Sequence, residues 1–247
     1  MTRPPFVILT RPRSGSYHLV SLLGSAPDLV CYGEVYKRER VELPPPVRAC
    51  LGLRPGDMAA RDKAGAGLLS TLAALSPECA VGFKAFPSQL RGLTHRSALL
   101  FGPDWRRIVL RRNPLATYLS ALRAHATGIW AVRAGETPPA DALRAPVRFD
   151  PAEFAQHLEG AARFDRLCDA IAAAAPDAVL RADYRDLNDP GALARALAFL
   201  GSAATPDTLR SDRLRQFPAP PEDGVENAGE MRRHLDALGL GALLDAG

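Results

Sequence analysis

The apolar positions alternate between two periods along the chain. FVILT (6–10) is a short apolar and β-branched run, the length of a buried strand. RPRSGS follows as a loop, and then Leu19, Leu22 and Leu23 recur at helical spacing up to Gly24. Residues 31–80 read as irregular around PPP (44–46) and RPGD (54–57), with one helix near 65–75. VGFKAF (81–86) and RRIVLRR (106–112) are further strands, and Pro114 opens a helix to about residue 126 from the first helical position. After a Pro-, Gly- and Ala-rich stretch at 132–147, Asp150, Pro151 and Glu153 start a helix that runs to about 175. AVLRADYRDL (178–187) is the fourth strand candidate. Asp189-Pro190 begins a helix stopped by Gly201, and a short helix near 228–238 closes the chain.

Strands separated by helices at this spacing imply parallel βαβ units, and hence a three-layer α/β fold with a central parallel sheet flanked by helices. Ligands of such sheets bind at the carboxyl ends of the strands. Two of the predicted strands end in conspicuous polar motifs, so the chemistry is expected there. No repeat or domain boundary is evident, and 1–247 is expected to form one domain.

Composition narrows the partners. The 247 residues are 47% hydrophobic and carry no apolar run long enough to span a membrane, and the N-terminus lacks the pattern of a secretory signal, so a cytoplasmic protein is expected. Cysteines 31, 50, 79 and 168 form no C-x-x-C pair and sit at no zinc spacing, so no metal is expected. The net charge is +4, but the arginines are dispersed without an aromatic-laced basic stripe, which argues against a nucleic-acid partner and leaves a small polyanion as the ligand a modest positive field would favour.

The loop LTRPRSGS (9–16) has the makings of an anion cradle. Gly15 permits close backbone approach. The N–H groups of Ser14, Gly15, Ser16 and Tyr17 stand at a helix start, where unpaired donors and the helix dipole favour negative charge. Arg13 adds a bidentate guanidinium, and the two serines add hydroxyl donors. It is not a Walker A loop, since no early Gly and no Lys frame Gly15. A plain Ser/Gly turn capping a helix is the alternative for this loop alone.

T-x-P-[KR]-S-G-[ST] after the first strand resembles the phosphosulfate-binding loop of sulfotransferases that use 3′-phosphoadenosine 5′-phosphosulfate (PAPS). The resemblance implies that Arg13, Ser14, Gly15 and Ser16 hold the 5′-phosphosulfate. IVLRRNPLATYLS (108–120) resembles the family's second motif, which implies that Arg112 and Ser120 hold the ribose 3′-phosphate. Ser120 falls about two helical turns beyond the strand end, on a face compatible with the same ligand. SALRAHATGIW (120–130), YRDL (184–187) and the segment 214–235 resemble the bacterial carbohydrate branch, similar to trehalose- and nodulation-factor sulfotransferases. Arg215 stands where that branch has Lys, and the resemblance implies that it reaches the phosphates; a surface arginine is the alternative. Segments 40–80 and 132–147 lack a counterpart, as variable acceptor-side loops would.

The same resemblance implies a P-loop-like fold, sulfuryl transfer to a hydroxyl of a small molecule or glycolipid, no required metal, and a homodimer as often found among relatives. Glu34, in CYGEVY where the branch has G-E-P or H-E-Y, is the implied general base; Val35 replaces the frequent Pro. Lys84 matches a G-x-K position, where it could orient Glu34, meet the sulfuryl group, or be a solvated strand-end lysine. His125 falls after the second motif and reads as an acceptor-side or structural residue, and His18 as a helix-surface residue. Two other readings stay open: a P-loop kinase, weakened by the missing Walker lysine, and a catalytically silent nucleotide-binding protein.

Overall fold

The structure is a computed structural model that describes residues 3–137, 145–213 and 222–245. Five strands, β1 (Phe6–Leu9), β2 (Leu29–Glu34), β3 (Ala80–Ala85), β4 (Arg106–Arg111) and β5 (Val179–Asp183), form one parallel sheet in the order β2-β3-β1-β4-β5. The helices are α1 (Ser16–Gly24), α2 (Pro45–Cys50), α3 (Met58–Ala74), α4 (Arg96–Phe101), α5 (Pro114–Thr127), α6 (Pro151–Ala174), α7 (Pro190–Leu200) and α8 (Ala228–Ala237). The α/β class and the flanked parallel sheet are as the sequence predicts.

β1 is the central strand, and its alternation builds the three layers. Val7 and Leu9 face one core with Phe83, Leu68, Leu72, Phe164 and Ile171, while Phe6 and Ile8 face the other with Leu19, Leu23, Leu193, Leu197 and Leu200. Helices α3, α4 and α6 thus cover one face, and α1 and α7 the other. All four β1 side chains are fully buried, so fully exposing any one of them would forfeit roughly 1.5–3 kcal/mol of burial free energy. A third cluster, Leu115, Leu119, Phe149, Phe154, Met231 and Leu235, packs α5, α6 and α8 together beside the sheet. No described helix is long and apolar enough to cross a membrane.

Local signals placed most helix ends correctly. Asn113, Asp150 and Asp189 cap α5, α6 and α7 with their side chains, each followed by Pro, and Gly201 ends α7 in the left-handed region. Three readings need correction. Residues 31–80 are not irregular: β2 lies at their start, and its pattern is obscured because it is an edge strand with half-exposed Val30 and Cys31. The helix expected at 65–75 begins at Met58, and Gly65 at φ 55° breaks it where the periodicity first becomes visible. The fourth strand ends at Asp183, because Asp183 caps a 3₁₀ turn, Tyr184–Asn188, that takes up YRDL.

Candidate functional site

The carboxyl ends of β3, β1 and β4 lie side by side, and the polar motifs collect there. The strand order reverses direction about β1, which makes the loop after β1 the switch point where parallel sheets open a crevice. That loop departs from ordinary backbone twice: Arg13 has φ 65° and Gly15 has φ 76°. Gly15 is required on two counts, since a Cβ there would also stand 2.4 Å from the Tyr184 ring. Ser14 and Ser16 are buried, and the Ser14 hydroxyl is hydrogen-bonded to Thr10, whose own Oγ1 donates to the Leu110 carbonyl at 3.0 Å. Helix α1 has no side-chain cap, and its first intrahelical bond is donated by His18 to Gly15. The Ser16 and Tyr17 N–H groups therefore precede the hydrogen-bonded ladder at the positive end of the helix dipole.

The second motif meets the first. Arg112 Nη1 donates to the Arg13 carbonyl at 2.8 Å, and Arg13 Nε donates to Ser120 Oγ at 3.0 Å. Arg13 and Arg112 thus meet beyond the strand ends although about a hundred residues separate them. The Arg112 guanidinium stacks 3.9 Å from the Tyr184 ring centroid, so the YRDL turn supplies its platform. Burial first, and then the neighbouring Arg112 charge, push the Arg13 pKa down to about 10. An anion bound between the two guanidiniums would offset that repulsion, so the chemistry of these side chains fits phosphate or sulfate groups. The Arg13 side chain also donates to the Trp130 carbonyl, and the exposed Trp130 ring packs edge-on at 4.8 Å from His125. His125 therefore stands at the rim of the Arg13 site. His18 instead bridges Ser211 and Asn188. Arg215 lies outside the described residues.

Glu34 and Lys84 make a buried ion pair, Lys84 Nζ to Glu34 Oε1 at 2.9 Å, and both residues are under a tenth exposed. The β2–β3 register places Lys84 directly beside Glu34, and the β1–β3 register places it beside Ile8. Lys84 is thus no solvated strand-end lysine. Its ammonium sits 3.3 Å from the Tyr17 ring centroid, at the first turn of α1. Burial pushes its pKa down to about 8, against the pull of the Glu34 carboxylate. Tyr17, expected to contribute only its N–H, also lends its ring to Lys84 and donates its hydroxyl to Glu42, which Lys37 holds at 2.9 Å. Burial, followed by the bond to Glu42, raises the Tyr17 pKa and keeps the phenol protonated.

Sequence reasoning missed several supports of this site. Gln89 donates to Glu34 Oε2, and the buried Arg61 of α3 donates to the carbonyls of Val35 and Lys37, pinning the turn that follows Glu34. Neither side chain carries a local motif. Their positions become meaningful only when β2, β3 and α3 are brought together.

No family model matches the chain. Nodulation protein H of Rhizobium tropici is 24% identical over 255 residues, spanning 94% of this chain and 89% of that protein. Among solved structures, the sulfotransferase domain from the curacin biosynthetic pathway superposes with a TM-score of 0.55 at 16% identity, over 99% of this chain and 90% of that one. The sulfotransferase domain of the Synechococcus PCC 7002 olefin synthase gives 0.54 at 20% identity, over 99% and 88%. A sulfotransferase from Alicyclobacillus acidocaldarius gives 0.51 at 19% identity, over 100% and 98%. Over nearly its whole length the chain has the sulfotransferase fold, and it is similar to bacterial proteins that share it.

Proposed function

We propose that this chain is a sulfotransferase that moves the sulfuryl group of PAPS to an acceptor hydroxyl on a sugar or glycolipid. One observation carries the reading: the Arg13 loop and the Arg112–Ser120 motif, distant in sequence, are hydrogen-bonded to one another beyond the carboxyl ends of β1 and β4. The likeness to Nodulation protein H and to solved sulfotransferases supports the reaction class. The carbohydrate acceptor rests on the resemblance of residues 120–130 and 184–187 and on that same relative.

In this reading the α1 N-terminus, Ser14, Ser16 and Arg13 hold the 5′-phosphosulfate, and Arg112 and Ser120 hold the 3′-phosphate. The acceptor oxygen forms a bond to sulfur as the bond from sulfur to the bridging oxygen breaks. Glu34 takes the hydroxyl proton, and Arg13 offsets the charge that grows on the leaving phosphate oxygen. Lys84 orients Glu34 through their ion pair. Positioning and electrostatics supply the rate, as in phosphoryl transfer.

Calorimetry with 3′-phosphoadenosine 5′-phosphate tests the reading. The wild type is expected to bind this nucleotide at least about tenfold more tightly than ADP, and Arg112→Ala is expected to lose roughly 1.5–3 kcal/mol of that binding. Equal affinity for the two nucleotides overturns it.

A further inference from the structure

We propose that Gln89 is a positioning residue for sulfuryl transfer, holding the Glu34 carboxylate in the one orientation from which it can accept the acceptor's proton; the proposal rests on the sulfotransferase reading above. Lys84 alone leaves the carboxylate free to swing, because a single contact to Oε1 does not fix the plane of the group. Gln89 Nε2 supplies the second contact, to Oε2 at 2.5 Å. With a donor from β3 or its turn on each oxygen the carboxylate plane is fixed, and the Tyr17 hydroxyl, which also interacts with Glu34, adds a third hold on the group.

The amide is itself locked, and this distinguishes it from an incidental neighbour. The Phe86 N–H donates to Gln89 Oε1 at 3.0 Å, while the Gln89 N–H donates back to the Phe86 carbonyl at 2.9 Å. This reciprocal pair closes the turn at the end of β3. It also decides which end of the amide faces Glu34: with Oε1 occupied by a backbone donor, the NH₂ group must point at the carboxylate. β3 and its turn thereby present two donors, Lys84 and Gln89, to one acidic side chain arriving from β2. The other charged or titratable groups around the pair are Tyr17 from α1 and Glu42 and Lys37 from the segment after β2. The Lys37 charge is matched by Glu42, and the Tyr17 hydroxyl donates to Glu42 and also lies within hydrogen-bonding reach of Glu34. A site in which a supporting group fixes the reacting group is what general base catalysis requires, because misorientation reduces rate without weakening ligand binding.

Two variants test it. Gln89→Met keeps the length and removes the amide. Gln89→Glu keeps an acceptor for the Phe86 N–H but sets a carboxylate against Glu34, so the two acids must share a proton. Transfer of labelled sulfate from PAPS is measured against pH, beside calorimetry with 3′-phosphoadenosine 5′-phosphate. In both variants, nucleotide affinity is expected to stay within about twofold, while kcat falls roughly tenfold or more. The acid limb of the rate profile is expected to move to higher pH in Gln89→Met, by about one pH unit, and further in Gln89→Glu. Wild-type limb positions in both variants overturn the proposal, as does a loss of kcat in Gln89→Met that Gln89→Glu restores, since that pattern assigns Gln89 only to closing the turn. A wild type that binds the nucleotide and transfers no sulfate to any hydroxyl overturns the sulfotransferase reading along with the role of Gln89. Active wild type with unmoved limbs overturns the role of Gln89 alone.

Discussion

Lys84 Nζ and Glu34 Oε1 lie 2.9 Å apart with almost no exposed surface on either side chain. Taking either charge out of water is expensive, so neither side chain can be neutralised without consequence for the other. Glu34→Gln is expected to keep the affinity for 3′-phosphoadenosine 5′-phosphate and to lose turnover by roughly a hundredfold or more, the usual weight of a general base. Sulfate transfer measured beside calorimetry checks both halves; full activity in the variant would move the base elsewhere.

Lys84 also gives a pH signature. Its folded pKa, about 8, lies below the ordinary 10.5, so between these values the unfolded chain binds more protons and Lys84 makes stability rise with pH. The stability of wild type minus that of Lys84→Met, from denaturant melts, is expected to grow across this window by at most about 3 kcal/mol. A flat difference would contradict the buried environment of the ammonium.

A second titrating group, sensitive to acid, lies on α6 beside Thr117. His157 of α6 lies 2.9 Å from Thr117 Oγ1, and because that hydroxyl donates to the Pro114 carbonyl, Nε2 carries the proton between them. Burial, aided by the Arg11 charge, pushes the His157 pKa down to about 4. From pH 6.5 down to about 4 the unfolded chain takes up the proton first, so stability falls as the solution is acidified. Melting curves across this range should show that loss in wild type and a shallower one in His157→Gln.

Gly15 and Tyr184 cannot both be kept if the glycine gains a side chain. Gly15→Ala forces a residue with a Cβ into φ 76° and drives that carbon to 2.4 Å from the ring. A loss of more than about 1 kcal/mol in stability is expected, together with weakened nucleotide binding as the loop shifts. An unchanged denaturation midpoint would show that the loop relaxes freely.

Tyr184 stacks on Arg112 at 3.9 Å, so the ring matters more than the hydroxyl. Tyr184→Phe is expected to bind 3′-phosphoadenosine 5′-phosphate as wild type does. Tyr184→Ala is expected to lose about 0.5–2 kcal/mol of binding free energy. Calorimetry on the pair separates stacking from hydrogen bonding.

How far the sequence reaches follows from where each determinant lies in the chain. The strand–loop–helix arrangement of the proposed anion loop was legible because it occupies eleven consecutive residues, Phe6 to Ser16, and the backbone there is set by neighbours along the chain. The eight-residue step from Arg112 to Ser120 was legible through its resemblance to the second motif, with which the geometry of a helix opening at Pro114 is compatible. Caps such as Asp150 and Asp189 act within three residues and were equally visible. Tertiary structure alone decided the rest. Inserting β3 between β2 and β1 brings Lys84 beside Glu34, fifty residues earlier, and turns a lysine of open meaning into half of a buried ion pair. Gln89, Arg61 and Tyr184 gained their roles in the same way, through hydrogen bonds and ring contacts across elements. The physical reason is one of range: local sequence sets backbone dihedrals and short hydrogen bonds, whereas strand order, which no single segment encodes, chooses which side chains share a dry space.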